Sequence, residues 1–124
     1  MAFEFPMRGE TKRLNSHTRA ALPGSFVTLS DGVTHYELAG PEDGPVVVLV
    51  HGFSVPYFIW DPTFGVLADA GYRVLRYDLF GRGYSDRPRA RYDTELFVRQ
   101  LEELLDALGI GTSRAIFGLS MGGV

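Results

Sequence analysis

Five residues, Val46–Val50, constrain this chain more than any others. They read Val-Val-Val-Leu-Val, a run dominated by β-branched side chains that are stiff at χ1 and suit the pleated surface of a sheet. A half-buried strand alternates apolar and polar residues. An unbroken apolar run has no solvent face, so it predicts a strand covered on both sides. Helices provide that cover when parallel strands are joined by right-handed crossovers. The run is also far too short to cross a bilayer.

The flanking sequence is consistent with such a sheet. Residues Ser25–Leu29 and 33–38 alternate apolar and polar around Asp31-Gly32, a pair that marks a hairpin. A turn follows at residues 41–45. Further on, Asp61-Pro62 reads as a helix start with Asp61 as cap, Gly71 as its end, and Phe64, Leu67 and Ala68 on one face. Residues 72–77 predict a second parallel strand. Residues 78–92, rich in Gly, Arg, Pro and Asp, predict a long loop. Asp93 is expected to cap the most strongly patterned helix, in which Phe97, Leu101, Leu104, Leu105 and Leu108 recur at helical spacing. Glu95 stands in its favourable first turn, and Gly109 ends it. Residues 114–119 predict one more strand. The fold class is therefore α/β: an N-terminal antiparallel hairpin followed by a mostly parallel sheet with flanking helices. Residues 1–24 are expected to be an N-terminal, flexible segment and residues 25–124 to belong to a single domain.

Composition narrows the functions. The chain has 124 residues with a net charge of -3, and its basic residues are scattered among acidic ones, which gives no footprint for nucleic acid. The lack of cysteine excludes a disulfide framework and thiolate metal sites, and the isolated His17, His35 and His51 do not make a metal-ligand cluster. The N-terminal stretch has no continuous apolar region of signal-peptide type. The expectation is a cytoplasmic protein with no membrane span, no nucleic-acid partner, no metal and no organic cofactor.

Chemistry concentrates at Gly118-Leu119-Ser120-Met121-Gly122, a G-x-S-x-G pattern at the end of a predicted strand. A strand-to-helix turn this tight strains the backbone of the central residue, and side chains two positions before and after it would collide; Gly118 and Gly122 remove them. Ser120 would then project its hydroxyl above the sheet as a nucleophile, with the Met121 amide facing the oxygen of an attacked carbonyl. A second donor is expected from the loop after the apolar run, where His51-Gly52-Phe53 offers the Phe53 amide. His51 and Gly52 are expected to support that loop. The plainer alternative is a glycine-rich turn with an incidental serine. Gly81-x-Gly83 does not make a dinucleotide loop, because Asp86 stands where a third glycine belongs and no helix opens there.

In His51-Gly52-Phe53, in 78–86 (Asp-Leu-Phe-Gly-Arg-Gly-Tyr-Ser-Asp) and in 118–123, the sequence resembles the α/β-hydrolase superfamily of esterases, lipases and C-C bond hydrolases, from about Phe26 onward. The resemblance implies an α/β-hydrolase fold, here incomplete, with the 78–86 loop beside the mouth of the site and fixed by hydrogen bonds from Asp78 and Arg82. It implies a serine hydrolase of small acyl esters, working through an acyl-enzyme. The alternatives are C-C bond hydrolysis or a non-catalytic ligand-binding member. Ser120 argues against the related epoxide hydrolase and haloalkane dehalogenase branches, which place an Asp nucleophile there. In this fold the catalytic acid and then the histidine follow the serine. Neither occurs between Ser120 and Val124, so the resemblance implies the nucleophile-bearing part of a longer parent, nearly inactive alone. A complementary C-terminal segment or chain, or element exchange in an oligomer, would complete it. His51, the histidine nearest Ser120 in such a fold, is the one alternative base in the chain, although the resemblance gives its position to the oxyanion loop. His17 and His35 read as surface or strand positions.

Overall fold

The structure, a computed structural model, describes residues 24–52, 57–111 and 115–118. Within them a five-stranded mixed sheet has the order β1-β2-β4-β3-β5, with β1 Ser25–Leu29, β2 Gly32–Ala39, β3 Val46–Val50, β4 Arg73–Tyr77 and β5 Ala115–Gly118. The β1-β2 and β2-β4 pairs are antiparallel, whereas β3 pairs in parallel with β4 on one side and β5 on the other. The apolar run thus lies between parallel neighbours, as its lack of a polar face predicts. Val48 and Val50 pack with Leu75, Tyr77, Leu79 and Leu104 on one side of the sheet. Val47 and Leu49 pack with Phe64 and Val74 on the other.

The hairpin forms one residue away from its expected register. Leu29 pairs with Gly32, so Ser30 and Asp31 are the loop residues and Gly32 opens β2. The tip is anchored from outside: the Ser30 amide and hydroxyl donate to Glu103, and Arg99 donates to Asp31 at 2.6 Å. These contacts lash the hairpin to the second helix.

Helix α1, Asp61–Asp69, follows a short 3-10 turn over Tyr57–Trp60, and its N-cap is Trp60 with no side-chain hydrogen bond. The expected cap, Asp61, lies inside the first turn, where its carboxylate is taken by Arg76 of β4. Arg76 also donates to Glu37 at 3.0 Å and stacks on Phe64, 4.1 Å from the ring centroid. A forked guanidinium can serve two carboxylates and an aromatic face together, and here that demand outcompetes the cap. At the other end Gly71 takes φ 97°, with Gly71 N–H on Ala68 and Tyr72 N–H on Leu67, the paired bonds of a Schellman end.

Helix α2, Thr94–Ala107, begins as expected, with the Asp93 carboxylate accepting from the Leu96 amide at 3.0 Å. Its end repeats the Schellman pattern at Gly109. The deepest stripe differs from the expected one: Leu96, Gln100 and Leu104 are buried, while Phe97, Leu101, Leu105 and Leu108 pack half-buried beside them. A glutamine at the centre of that stripe requires polar partners, and it has three.

Candidate active site

Because β3, β4 and β5 are parallel, their C-terminal ends share one edge of the sheet, the edge where open α/β sheets bind ligands. Val50 pairs with Gly118, so β3 and β5 end side by side at this edge, and His51-Gly52 follows directly from the β3 end. The 78–92 loop leaves β4 at the same edge. Of the expected site residues, the structure describes His51, Gly52 and Gly118. Ser120, Phe53, Met121 and Gly122 lie outside the described residues.

His51 is fully buried and both ring nitrogens are committed. The Leu79 amide donates to Nε2 at 2.8 Å, so Nε2 carries no proton. The Gly52 carbonyl lies 2.6 Å from Nδ1, which must therefore donate. These partners fix the neutral Nδ1–H tautomer. Burial holds the imidazole pKa below its ordinary value; the Gly52 carbonyl and Asp78 pull upward and Arg82 adds to the lowering. His51 therefore braces the loop, and the alternative of His51 as a substitute base is corrected, because neither nitrogen is available to a serine hydroxyl.

Asp78 organises the next loop. Its buried carboxylate accepts from the Tyr84 amide at 2.9 Å and meets His35 Nδ1 at 3.0 Å, with His51 Nε2 4.0 Å away. His35 is a strand position, as expected, but a fully buried one, with Tyr84 edge-on at 5.2 Å. Gly83 sits at φ 52°, and a Cβ there would stand 2.2 Å from the Asp78 carboxylate, so the loop closes on the carboxylate only where a side chain is missing. The structural role expected of Asp78 holds. Arg82 also bonds locally, donating to the Gly81 carbonyl at 2.9 Å.

Sequence reasoning missed four polar residues that hold this edge together: Thr34, His35, Ser85 and Gln100, all fully buried. The Gln100 amide donates to Thr34 Oγ1 and to the Asp78 carbonyl and accepts from the Phe80 amide, at 3.0, 3.1 and 3.0 Å. Ser85 Oγ donates to the same Asp78 carbonyl at 2.6 Å and accepts from the His35 amide at 2.9 Å. The available signal was the glutamine itself, four residues from a leucine on either side. Beside the network lies an apolar groove of about 410 Å³, lined by Val50, Tyr77, Leu79, Phe97, Leu101 and Ile116. Among the described residues no group of three or more His, Cys, Asp or Glu is placed to hold a metal ion, and no helix is long and apolar enough to cross a membrane.

A parallel strand trio, with a buried His-Gly at the end of its central strand and a braced aspartate loop beside it, defines an α/β protein whose hydrogen-bonded loops gather at the C-terminal edge of the sheet. The chain belongs to the alpha/beta hydrolase fold family, whose model matches residues 45–124. It is 37% identical over 109 residues to bifunctional epoxide hydrolase 2 of Sus scrofa, covering 85% of this chain and 19% of that protein. It is 36% identical over 85 residues to a non-heme chloroperoxidase of Streptomyces lividans, covering 68% of this chain and 31% of the relative. The crystal structure of an enol-lactonase from Burkholderia xenovorans matches with a TM-score of 0.75 at 31% identity, over 80% of this chain and 38% of that one. The chain thus spans a third or less of the length of these two curated relatives.

Proposed function

We propose that this chain supplies the nucleophile and the oxyanion donors of a serine hydrolase acting on small carboxylic esters. Ser120 attacks the ester carbonyl. The carbonyl electron pair moves onto oxygen, where the Phe53 and Met121 amides receive it. Collapse of the tetrahedral intermediate expels the alcohol and leaves an acyl-serine, which water then hydrolyses. The observation that carries this reading is the pairing of Val50 with Gly118, because the strands that lead into the two segments given these roles then end side by side. Family membership and the braced His51 support it.

A base must take the Ser120 proton. Among the described residues neither histidine serves: His51 has both nitrogens engaged, and His35 is buried against Asp78. We propose that the histidine and its orienting acid stand on a complementary C-terminal segment, in the order Ser, acid, His that this fold uses.

The relatives' names include an epoxide hydrolase, and a serine at position 120 favours an acyl-enzyme over an ester formed on a carboxylate nucleophile. The neighbouring enol-lactonase, named for a cyclic ester, favours the same class. The test is labelling of the whole protein by a fluorophosphonate probe, together with turnover of a p-nitrophenyl acyl ester. Ser120→Ala should abolish both. Labelling and turnover that survive the substitution would overturn the proposal.

A further inference from the structure

The hydrogen bonds around His51 connect into a single directed chain. It starts on Gln100, whose Nε2 donates to the Asp78 carbonyl at 3.1 Å. That carbonyl and the Leu79 N–H are the two ends of one peptide group, and the N–H end donates to His51 Nε2 at 2.8 Å. On the far side of the ring His51 Nδ1 donates to the Gly52 carbonyl at 2.6 Å. This carbonyl is again one end of a peptide group, whose N–H belongs to Phe53. Every donor points the same way. Each bond in such a series polarises the next, strengthening it by roughly 10–30% in a low-dielectric interior.

We infer that Gln100 is a positioning residue for the oxyanion loop, acting through the Asp78-Leu79 peptide and His51 on the Gly52-Phe53 peptide. The inference rests on the proposed role of the Phe53 amide. Gln100 is built for this. Its Oε1 accepts from the Phe80 amide at 3.0 Å while Nε2 serves Asp78, so the side-chain amide pairs with residues 78 and 80 as a neighbouring strand would. It thereby extends pairing past the end of β4 and fixes the plane of the intervening peptide. Its remaining Nε2 hydrogen reaches Thr34 Oγ1 at 3.0 Å, which stops the amide from flipping end for end. Ser85 Oγ adds a second donor on the Asp78 carbonyl at 2.6 Å. Polarised from its oxygen end, the Leu79 N–H is a stronger donor to His51, which holds the ring in the tautomer that donates to Gly52. Peptide planarity ties each carbonyl to the N–H that follows it, so in the proposed site a Gly52 oxygen held by His51 orients the donor assigned to Phe53.

The test combines nitrogen-15 NMR of labelled histidine with steady-state kinetics of the whole protein. In the unmodified protein the His51 Nε2 resonance should report an unprotonated nitrogen that accepts a hydrogen bond. Gln100→Met, similar in volume but without donors, should move that resonance toward the value of a free imidazole nitrogen. It should also lower kcat about tenfold, less than the loss of a whole oxyanion donor, with KM within about twofold. Leu104→Val loosens the same helix while leaving every hydrogen bond of the relay in place and should change neither readout. If Gln100→Met fails to fold, Ser85→Ala, which removes the other donor to the Asp78 carbonyl, decides the matter by a smaller shift in the same direction. An unmoved Nε2 resonance, or an unchanged kcat, in the variant that decides would overturn the inference. Because the resonance is read without substrate, that failure is distinct from failure of the hydrolase reading, which Ser120→Ala tests alone.

Discussion

His51 shows how one side chain converts burial into a constraint on backbone. A solvated imidazole samples two tautomers and a charged form; this one has a single state, because an amide donor faces Nε2 and a carbonyl faces Nδ1. The folded protein therefore binds a proton at His51 less readily than the unfolded chain does. Above the ordinary histidine pKa both states are neutral and the full stability is present. As pH falls below that value the unfolded chain protonates first, and stability is lost progressively until pH passes the folded value. The urea midpoint should fall between about pH 7.5 and about 5.5, and fall less in His51→Gln, which lacks the titrating group. Gly83 makes the complementary point, because its missing side chain is the space the Asp78 carboxylate fills. Gly83→Ala should cost about 2–4 kcal/mol by chemical denaturation, through a strained φ and displacement of the carboxylate from the Tyr84 amide. His51 and Gly52 were legible in the sequence because they stand directly after the apolar run. Gln100 and His35 were not, since what makes them polar anchors is a set of partners 20 to 66 positions away.

Elements were read most successfully where local and non-local demands agree. The Asp93 cap, the Gly109 end and the apolar spacing between them all specify one helix, and α2 forms there. Asp93→Ala should lower stability by about 1 kcal/mol, visible in thermal melts, by leaving the Leu96 amide without its acceptor. Leu104→Ala, at the buried centre of the same helix, should cost about 3 kcal/mol, most of it from the cavity. At the start of α1 the two demands conflict. Asp61 has the right type and place for a cap, but Arg76 lies across the sheet with two carboxylates in reach and takes it. No local pattern announces that competition. The hairpin shift has a similar cause: Ser30 and Asp31 are held by Glu103 and Arg99, which are distant in sequence, so the loop settles where α2 anchors it.

For the whole molecule, the parallel core was written in Val46–Val50, and the order in which strands join was not. A run buried on both faces requires neighbours without naming them, and the placement of β4 and β5 on either side of β3 comes from the crossover geometry. Among the described residues β5 is an edge strand, with Ile116 50% and Phe117 47% exposed. Ile116 closes one side of the apolar groove and Val98 lines it too. Residues 1–124 should therefore enhance the fluorescence of an apolar dye such as anilinonaphthalene sulfonate. The double substitution Val98→Glu with Ile116→Glu should reduce that enhancement severalfold while far-UV circular dichroism is retained. Retained enhancement would place the dye elsewhere.

The central place of β3 also sets a schedule. A ribosome delivers this strand before either of its parallel partners, so for part of synthesis the most water-averse segment of the chain emerges with both edges open. The hairpin of β1 and β2 is already made by then, but in the finished sheet it borders β4 and offers β3 no edge. Until β4 is delivered and docks, Val46–Val50 has the features of a segment that joins its own kind. Slow codons placed between β3 and β4 should prolong that interval and lower the yield of folded protein, whereas the same codons placed after β4 should do so less.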